Sequence, residues 1–555
     1  MNMTAVYAWL HRKRVTILLT LLIGWYAVAT LPYLGDFPLV DWAQPMIAAP
    51  AYKLATQGIY GSDMFTGFYR SEMRNYDHMP LYPLLLSLSF KMQGLGVWQA
   101  RLVSVLSGLA AVLLTFCLGR QLYDATVGLA AAAALCVVRL GLPNFNDVLR
   151  LGYQMNQSGI PLLDFARVIR FDVLVPAWVV AACGGFYWAY THDSRLGYLG
   201  AGVLAGLATL THLYGAFILA VLVTLLVWQR GWRAWRGAPV YLILAGWLLA
   251  LLPYLIYVLQ DLEAYRGQLL RHETRFDLLN ASFYWNSLIH EPWRYISWLG
   301  GSFRDPVLWP RVGIWLLAAS LLTANVVLLE RVRRAPRLAD RLLLISLPML
   351  VGLLALLINT KRYPYVALIL PFLALQMAFV IVYVWRRAPA TRTKRLARLT
   401  LGGVLLAVLV EGGVGVVTSL QTAGSTTPYQ RIAEAIRRVI PPDSRIVASH
   451  VIWFALADYD VRSANLVFVL SDPHYRIPQT PTMDEVLHQI NPDFVIMEDR
   501  LLRAYLREPE AFPSEQIVMQ WRLFDEYIQR QCATVVTTIP APDYGDVTVY
   551  RCEQA

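Results

Sequence analysis

Apolar residues in this chain come in runs long enough to cross a bilayer, and the runs recur from Val15 to about Leu420. A transmembrane helix needs about 20 mostly apolar residues to cross a hydrocarbon core of about 30 Å. Polar and charged breaks divide the region into eleven predicted spans, which begin near residues 15, 100, 125, 171, 197, 214, 239, 310, 341, 363 and 399. The pattern predicts an α-helical polytopic membrane bundle over residues 1–421.

One apolar stretch, Pro80 to Phe90, does not fit this series. At about 11 residues it is too short to cross the membrane, and counting it as a span would invert every later loop. We expect it to lie along the outer interface as an amphipathic segment. It belongs to a predicted first extracytoplasmic loop, residues 34–99, that contains interfacial helices.

The distribution of Lys and Arg predicts the orientation. With a cytoplasmic N-terminus, the basic loops all fall on the cytoplasmic side, as the positive-inside rule requires. The segments 34–99, 142–170 and 259–308 then lie outside, together with the C-terminal region. The basic loops contain Arg12 to Arg14, Arg120, Arg195, Arg230 with Arg233 and Arg236, Arg331 to Arg341, and Arg386 to Arg398.

Residues 422–555 have the composition of a soluble domain, in which helix-like and strand-like stretches alternate. This alternation predicts an extracytoplasmic α/β domain. Near its end two β-like runs flank Pro542, so a hairpin can bring Cys532 and Cys552 opposite each other. We expect a disulfide between them if the domain faces an oxidising compartment.

Composition supports a membrane protein and argues against other classes. Of the 555 residues, 57% are hydrophobic and 15% are charged, which is too apolar for a typical soluble protein. The net charge of +11 sits in short loops between spans rather than on one basic face. Nucleic acid is therefore not an expected partner, whereas membrane lipids are.

The first outer loop is rich in ionisable residues for a segment next to a membrane. An ionisable side chain close to hydrocarbon is costly and needs a partner or a function. This loop is therefore the first candidate for a site. Its ionisable residues include Asp36, Asp41, Lys53, Asp63, Arg70, Glu72, Arg74, Asp77 and His78.

An ordered set of motifs resembles the GT-C glycosyltransferases, in particular the dolichyl-phosphate-mannose protein mannosyltransferase and aminoarabinose lipid A transferase group. The likeness runs over most of residues 1–420. It implies a membrane bundle with interfacial helices in the first outer loop and an extracytoplasmic active site above them. The motifs are Asp41 after the first span, Asp77-His78-Met79-Pro80-Leu81-Tyr82-Pro83, Ala100-Arg101-Leu102, Leu118-Gly119-Arg120-Gln121-Leu122 and Lys361-Arg362-Tyr363-Pro364.

The resemblance implies two catalytic carboxylates. Asp41 matches the first-loop acid that acts in such enzymes as the catalytic base or positions the acceptor. Many relatives carry a second acid directly after it, where this chain has Trp42. Asp77 then supplies the second carboxylate, or binds a divalent metal ion as an acid at that place does in some relatives. From the residues alone, Asp41 can also be a solvated carboxylate or a helix N-cap, and Asp77 can cap the segment that opens at Pro80.

Lys361, Arg362 and Tyr363 are the expected binding residues for the donor phosphate. They stand at the predicted outer start of a span, at the level of the lipid headgroups. Arg can donate two hydrogen bonds to one phosphate there. The alternative is that Lys361 and Arg362 only snorkel to the interface.

Five further residues are expected to support the site. His78 stands where relatives carry a basic residue. Arg170 and Asp172 open a span at its outer end, either facing the site or as a local ion pair. His212 closes another span at its outer end, as a site residue or as hydrogen-bonded structure. The five supporting residues are His78, Tyr82, Arg170, Asp172 and His212.

The implied reaction is transfer of a hexose or pentose from a polyprenyl-phosphate donor to a lipid, glycan or protein acceptor. Such a transfer needs a base for the acceptor proton and cations to offset charge on the departing phosphate. A divalent metal ion is a candidate cofactor, with Asp77 as its ligand. His272 and Glu273, in an outer loop, either reach over the site as a lid or acceptor contact, or are solvated loop residues.

Two other functions fit part of the pattern. A transporter or a flippase for lipid-linked sugars also needs many spans, but it predicts internal repeats and charges near the bilayer midplane. The chain shows no convincing repeat, and its ionisable residues concentrate at outer span ends and in the first loop. A noncatalytic anchor for a C-terminal binding domain leaves the first-loop charges without a role.

Overall fold

The computed structural model describes residues 3–140, 158–275, 279–300, 312–359, 361–387, 392–477, 480–498 and 515–553. Parts of two predicted outer segments, 142–157 and 301–308, lie outside the described residues. Within the described ranges the chain is a bundle of helices followed by a small domain built on a β-sheet.

The bundle is made of long apolar helices joined by short turns. Asp124 and Ser194 begin two of these helices by accepting hydrogen bonds from backbone N–H groups of the first turn. The helices up to residue 425 are α1 (Met3–Thr30), α2 (Ala43–Gln57), α3 (Leu81–Gln93), α4 (Val97–Leu122), α5 (Ala125–Val137), α6 (Pro161–Ala166), α7 (Val175–Thr191), α8 (Arg195–Thr211), α9 (Phe217–Arg230), α10 (Ala238–Leu259), α11 (Leu262–Leu269), α12 (Ala281–Gly300), α13 (Val312–Arg334), α14 (Leu338–Leu357), α15 (Leu370–Arg387) and α16 (Arg392–Ser425).

Nine helical segments in the described ranges are long and apolar enough to cross a membrane. They account for nine of the eleven predicted spans. The other two predicted spans are helical but shorter: α5 has 13 residues and α8 has 17. At 1.5 Å per residue, α5 is about 20 Å long, which is less than the hydrocarbon thickness.

Close helix contacts in the bundle depend on small residues. Helix α8 packs against both α7 and α10. A Cβ atom added to Gly202 of α8 would lie 2.1 Å from the Ile243 carbonyl oxygen, and one added to Gly246 of α10 would lie 2.1 Å from the Leu199 carbonyl oxygen. The two glycines therefore let the backbones approach, as is usual between membrane helices.

Residues 34–99, the predicted first outer loop, contain two helices. Helix α2 is buried along most of its length, and α3 occupies the stretch that the sequence predicts as an interfacial segment. The two pack against each other, and α3 also packs against α4. A 3-10 turn, Asp63–Phe65, lies between them in sequence.

The C-terminal domain has a five-stranded sheet in the order β2-β1-β3-β5-β4. Strand β1 pairs in parallel with β2 and β3, whereas β5 pairs antiparallel with β3 and β4. The mixture of parallel strands, crossover helices and a hairpin fits the predicted α/β class. Its elements are α17 (Tyr429–Val439), β1 (Arg445–Ala448), α18 (Trp453–Leu456), β2 (Asp460–Ser463), α19 (Ala464–Leu470), α20 (Met483–Ile490), β3 (Phe494–Glu498), α21 (Glu515–Gln531), β4 (Thr534–Ile539) and β5 (Val547–Arg551).

The terminal hairpin forms where the sequence predicts it. Strands β4 and β5 are its arms, and the disulfide Cys532–Cys552 joins the residues that flank them. Both cysteines are buried in a core with Trp521 and Phe524 of α21. The bond therefore ties the last strand to the start of the hairpin and to the helix before it.

Candidate active site

Asp41 lies at the start of α2 and faces the membrane-domain helices. Its Oδ1 accepts hydrogen bonds from the backbone N–H groups of Ala43 (2.9 Å) and Gln44 (3.0 Å). Its Oδ2 lies 3.6 Å from a guanidinium nitrogen of Arg170. The carboxylate therefore caps the helix with one oxygen and keeps the other in a polar site, so the N-cap and the site interpretations both apply.

Arg170 and Arg362 lie near this carboxylate, and the charge of Arg275 acts on Arg362. Arg170 enters from the start of the segment that leads into α7, and Arg362 from the turn before α15. Desolvation and the positive charges of Arg275 and Arg170 lower the pKa of Arg362, although part of that residue stays exposed to solvent. The Arg362 guanidinium lies over the ring of Trp42, 5.2 Å from its centroid. The charges of Arg170 and Arg275 act on Arg362, and the nearby Asp41 offsets only one of them, so the excess of positive charge suits an anion.

Lys361 and Tyr363 point elsewhere. The Lys361 side chain is fully buried, lies 3.1 Å from a carboxylate oxygen of Glu291 on α12, and donates a hydrogen bond to Ser287 (3.0 Å). Tyr363 is buried against Phe165, with 5.0 Å between ring centroids. Of the three predicted phosphate-binding residues, Arg362 alone joins Arg170 near Asp41.

Asp77 is held by Arg271 and His272. Arg271 forms an ion pair with its Oδ2, and His272 Nε2 lies 3.4 Å from its Oδ1. Burial alone would raise the pKa of Asp77, but Arg271 and His272 hold it well below its ordinary value. Asp77 therefore stays ionised and is a poor proton donor.

A row of aromatic rings runs from His78, the neighbour of Asp77, to Tyr365. His78 lies 5.5 Å from Phe171, and Phe171 lies 4.9 Å from His212 (centroid distances). His212 in turn packs on Tyr214 and meets Tyr365 edge-on at 5.4 Å. Burial, opposed by Asp77, lowers the pKa of His78 to about 4, and burial with the nearby Arg275 charge keeps the pKa of His212 well below its ordinary value. Both imidazoles are therefore neutral near pH 7.

The remaining predicted residues support this row. Asp172 accepts a hydrogen bond of 2.7 Å from the Tyr214 hydroxyl rather than pairing with Arg170. The Tyr82 hydroxyl hydrogen-bonds the Ser104 hydroxyl, which also accepts a hydrogen bond from the Arg170 backbone N–H. Tyr82 thus helps to hold the segment that carries Arg170.

Arg271 and Arg275 were not among the candidates from the sequence. They lie in the turn that follows α11, a helix that packs on the first loop. A Cβ atom on Gly267 would lie 2.1 Å from the Tyr69 ring, so only glycine allows this approach. The Gln268 amide secures the contact by donating to the carbonyl oxygens of Tyr69 and Arg74. The dense charge of the sequence Arg271-His272-Glu273-Thr274-Arg275 in an outer loop was the available signal.

The side chains around Asp77 do not fit a bound divalent metal ion. In the described ranges, no three His, Cys, Asp or Glu side chains converge as metal ligands would. One oxygen of Asp77 is taken by a guanidinium, and a cation next to a cation is unfavourable.

Comparison with known families gives one match. The family described as dolichyl-phosphate-mannose-protein mannosyltransferase matches residues 77–157, which begin at Asp77 and include α3, α4 and α5. A search of curated proteins found no match.

Solved structures match over nearly the whole chain. ArnT from Cupriavidus metallidurans bound to undecaprenyl phosphate matches with a TM-score of 0.61 and 15% identity, over 97% of each chain. The archaeal oligosaccharyltransferase AglB from Archaeoglobus fulgidus, in complex with an inhibitory peptide and a dolichol-phosphate, matches with a TM-score of 0.52 and 13% identity, over 98% of this chain and 75% of that one. The oligosaccharyltransferase of the same organism in complex with Zn and sulfate has a TM-score of 0.51 and 14% identity, over 89% and 69%. The predicted GT-C fold, with its C-terminal domain, is confirmed.

Proposed function

We propose that this chain is an integral membrane glycosyltransferase that moves a hexose or pentose from a polyprenyl-phosphate donor to a lipid, glycan or protein acceptor on the extracytoplasmic face. The observation that carries the proposal is the Arg170 guanidinium 3.6 Å from Asp41 Oδ2, with the Arg362 guanidinium over the ring of the adjacent Trp42. A carboxylate beside excess positive charge is what transfer from a lipid phosphate requires. The structures in which similar folds hold undecaprenyl phosphate or dolichol-phosphate support the same donor class.

In the proposed reaction Asp41 acts as the base. An acceptor hydroxyl or amide gives its proton to the free oxygen of Asp41 while its O or N atom bonds to the anomeric carbon. The bond from that carbon to the phosphate oxygen breaks, and the electron pair leaves with the polyprenyl phosphate. Such a single displacement inverts the anomeric configuration.

The arginines receive the departing charge. Arg362 and Arg170 can donate to phosphate oxygens as the sugar leaves, and each hydrogen bond strengthens as negative charge develops. Packing of Arg362 on Trp42 orients its guanidinium before the donor arrives. Asp77 is proposed to orient Arg271 rather than to act as a second base, because its pKa is held well below the ordinary value and it is therefore a weak proton acceptor.

The proposed orientation places the N-terminus in the cytoplasm and the C-terminal domain outside. The positive-inside pattern of the loops supports it. The disulfide Cys532–Cys552 supports it as well, since such bonds persist in oxidising compartments. The fold likeness to transferases favours an enzyme over a transporter or flippase.

The test is sugar transfer from synthetic polyprenyl-phosphate monosaccharides, radiolabelled in the sugar, into membrane extract. Purified wild type should label an acceptor with at least one donor, and Asp41→Asn should lose about 100-fold or more of this activity, since general-base catalysis contributes that much. Both proteins must show the same thermal unfolding. An Asp41→Asn variant as active as wild type would contradict the role of Asp41.

A further inference from the structure

The C-terminal domain touches the membrane domain at the start of α2, next to the candidate active site. His450, in the turn after β1, is 3% exposed and lies against Phe65, with 5.7 Å between ring centroids. Three residues on, Trp453 meets Tyr52 of α2 edge-on at 6.1 Å. The end of strand β1 therefore rests on the first outer loop.

The key contact is a hydrogen bond from His450 to Trp42. His450 Nδ1 lies 3.1 Å from the backbone carbonyl oxygen of Trp42. A carbonyl oxygen can only accept, so Nδ1 carries the hydrogen and donates it. Burial and the nearby Arg271 charge lower the pKa of His450 to about 3, which keeps this imidazole neutral with a single N–H. That single N–H is committed to Trp42.

Trp42 is the residue that links this contact to the phosphate-binding group. Its backbone immediately follows Asp41, and its ring carries the guanidinium of Arg362 at 5.2 Å. Trp42 is 39% exposed, so neighbouring packing restrains its side chain only partly. The hydrogen bond to its carbonyl helps to hold the backbone from which the ring, with the arginine over it, extends.

We propose that the C-terminal domain completes the donor-binding site, with His450 as a positioning residue that holds Trp42 under Arg362. This inference rests on the proposed function, because Arg362 is taken to bind the donor phosphate. It gives the C-terminal domain a direct part in recognition of the polyprenyl phosphate. The domain then forms part of the active site rather than a separate binding module.

The experiment measures the affinity of the full-length purified protein for undecaprenyl phosphate in nanodiscs, with thermal unfolding recorded for every variant. His450→Ala should weaken binding about three- to tenfold, the worth of a partly solvated cation–π contact. His450→Asn should restore wild-type affinity within about twofold, because the Asn amide nitrogen occupies the position of Nδ1. His450→Gln should not, because its amide nitrogen lies at the position of Nε2.

A double-mutant cycle tests whether His450 acts on donor binding through Trp42. Trp42→Leu keeps the backbone carbonyl but removes the ring, so it should weaken binding as much as His450→Ala. The variant with both changes should bind no worse than Trp42→Leu alone. Full additivity of the two losses would overturn the proposal.

A matched control separates this contact from docking of the domain in general. Arg462 also joins the C-terminal domain to the first loop, by a hydrogen bond of 2.8 Å to the Asp63 carbonyl oxygen. Arg462→Gln removes that contact away from Trp42 and should leave the affinity unchanged. Equal weakening by Arg462→Gln and His450→Ala would overturn the positioning role.

The outcomes also separate this inference from the function on which it rests. If wild type binds no undecaprenyl phosphate and transfers no sugar, the proposed function fails. If wild type binds and transfers but His450→Ala binds equally well, only the role of His450 is overturned. If His450→Ala does not fold, the comparison of His450→Asn with His450→Gln decides, and equal affinities of those two overturn the proposal.

Discussion

Lys361 and Arg362 are neighbours in sequence with opposite surroundings. The Lys361 ammonium is buried in an ion pair with Glu291, whereas the Arg362 guanidinium lies over Trp42 beside Arg170. The backbone there is extended, with Arg362 at φ −117° and ψ 153°, so successive side chains point to opposite sides. One basic motif therefore supplies one structural cation and one candidate ligand.

The two residues form a matched pair for mutation. Arg362→Gln should raise the KM for the donor about 10- to 100-fold, because a hydrogen bond to a charged group is worth about 1.5–3 kcal/mol. Its thermal stability should change little. Donor titrations of the transfer assay, with unfolding curves, measure both effects.

Lys361→Gln should behave in the opposite way. It removes one of the two cations on the buried Glu291 carboxylate and leaves Arg294 as the other, so the loss should lie below the about 3–5 kcal/mol of a buried charge left unpaired. The unfolding temperature should fall while the donor KM of the remaining folded protein stays near that of wild type. A raised KM for Lys361→Gln at unchanged stability would contradict this assignment.

The candidate site was partly predictable at the level of single residues. The resemblance to the GT-C glycosyltransferases predicted that Asp41 and Arg362 share one site, whereas from the residues alone Arg362 could also snorkel to the interface. The sequence could not separate Lys361 from Arg362, because Glu291 lies 70 residues away and on another helix. Arg275 was missed for the same reason: its role depends on how α11 packs on the first loop.

At the scale of elements, Gln44 ties three segments of the site together. Its side chain is fully buried, and its Oε1 accepts hydrogen bonds from Arg101 Nε (3.0 Å) and from the Ile169 backbone N–H (3.3 Å). The backbone N–H of Gln44 donates to Asp41 Oδ1. Since Ile169 precedes Arg170, one amide sets the register between α2, α4 and the segment that carries the partner of Asp41.

Loss of this amide should reduce turnover. Gln44→Leu should lower kcat about 10- to 100-fold with a smaller change in donor KM, because a small misplacement of a catalytic group costs that much. Gln376→Leu is the control, since Gln376 is equally buried and bonds the Leu343 carbonyl oxygen on the neighbouring helix α14. Similar losses of kcat in both variants would show that any buried glutamine has this effect.

Strand β3 ends in a buried acid, Glu498, which accepts a hydrogen bond from Ser449 at the end of β1. Burial raises the pKa of Glu498 from its ordinary value of 4.5 to about 7. A carboxyl whose pKa is raised on folding binds its proton more tightly in the folded state. Its favourable contribution is complete below about pH 4.5 and is lost as the pH rises to about 7.

The Glu498 contribution to the stability of the C-terminal domain should therefore fall as the pH rises, whereas the lowered pKa of His450 acts in the opposite direction below about pH 6.5. Between pH 5 and pH 8 the wild-type unfolding temperature should fall relative to that of Glu498→Gln, by an amount equivalent to at most about 3 kcal/mol. Glu498→Gln should flatten that slope and make the protein more stable than wild type above pH 7. The exposed Glu434→Gln is the control, and a slope unchanged by Glu498→Gln would refute the assignment.

At the scale of the whole molecule, the arrangement of spans was readable because apolar length alone decides which helices can cross a bilayer. The terminal hairpin and its disulfide were readable because the two cysteines flank alternating β-like runs. The lengths of α5 and α8 could not be predicted from the sequence, because packing and short turns determine where those helices end. The contact of the C-terminal domain with α2 was not readable either, because His450 and Trp42 are 408 residues apart.

The measurement that tests the central claim most directly is the stoichiometry of donor cleavage. Purified wild type is incubated with a labelled polyprenyl-phosphate sugar and acceptor membranes, and released polyprenyl phosphate and labelled acceptor are quantified by mass spectrometry and scintillation counting. We expect one polyprenyl phosphate to be released for each sugar transferred, and we expect Asp41→Asn to lose both the release and the transfer. A contrary result would be that, for every sugar tried, the donor binds the protein or crosses the membrane and no polyprenyl phosphate is released. That result would favour a transporter or flippase.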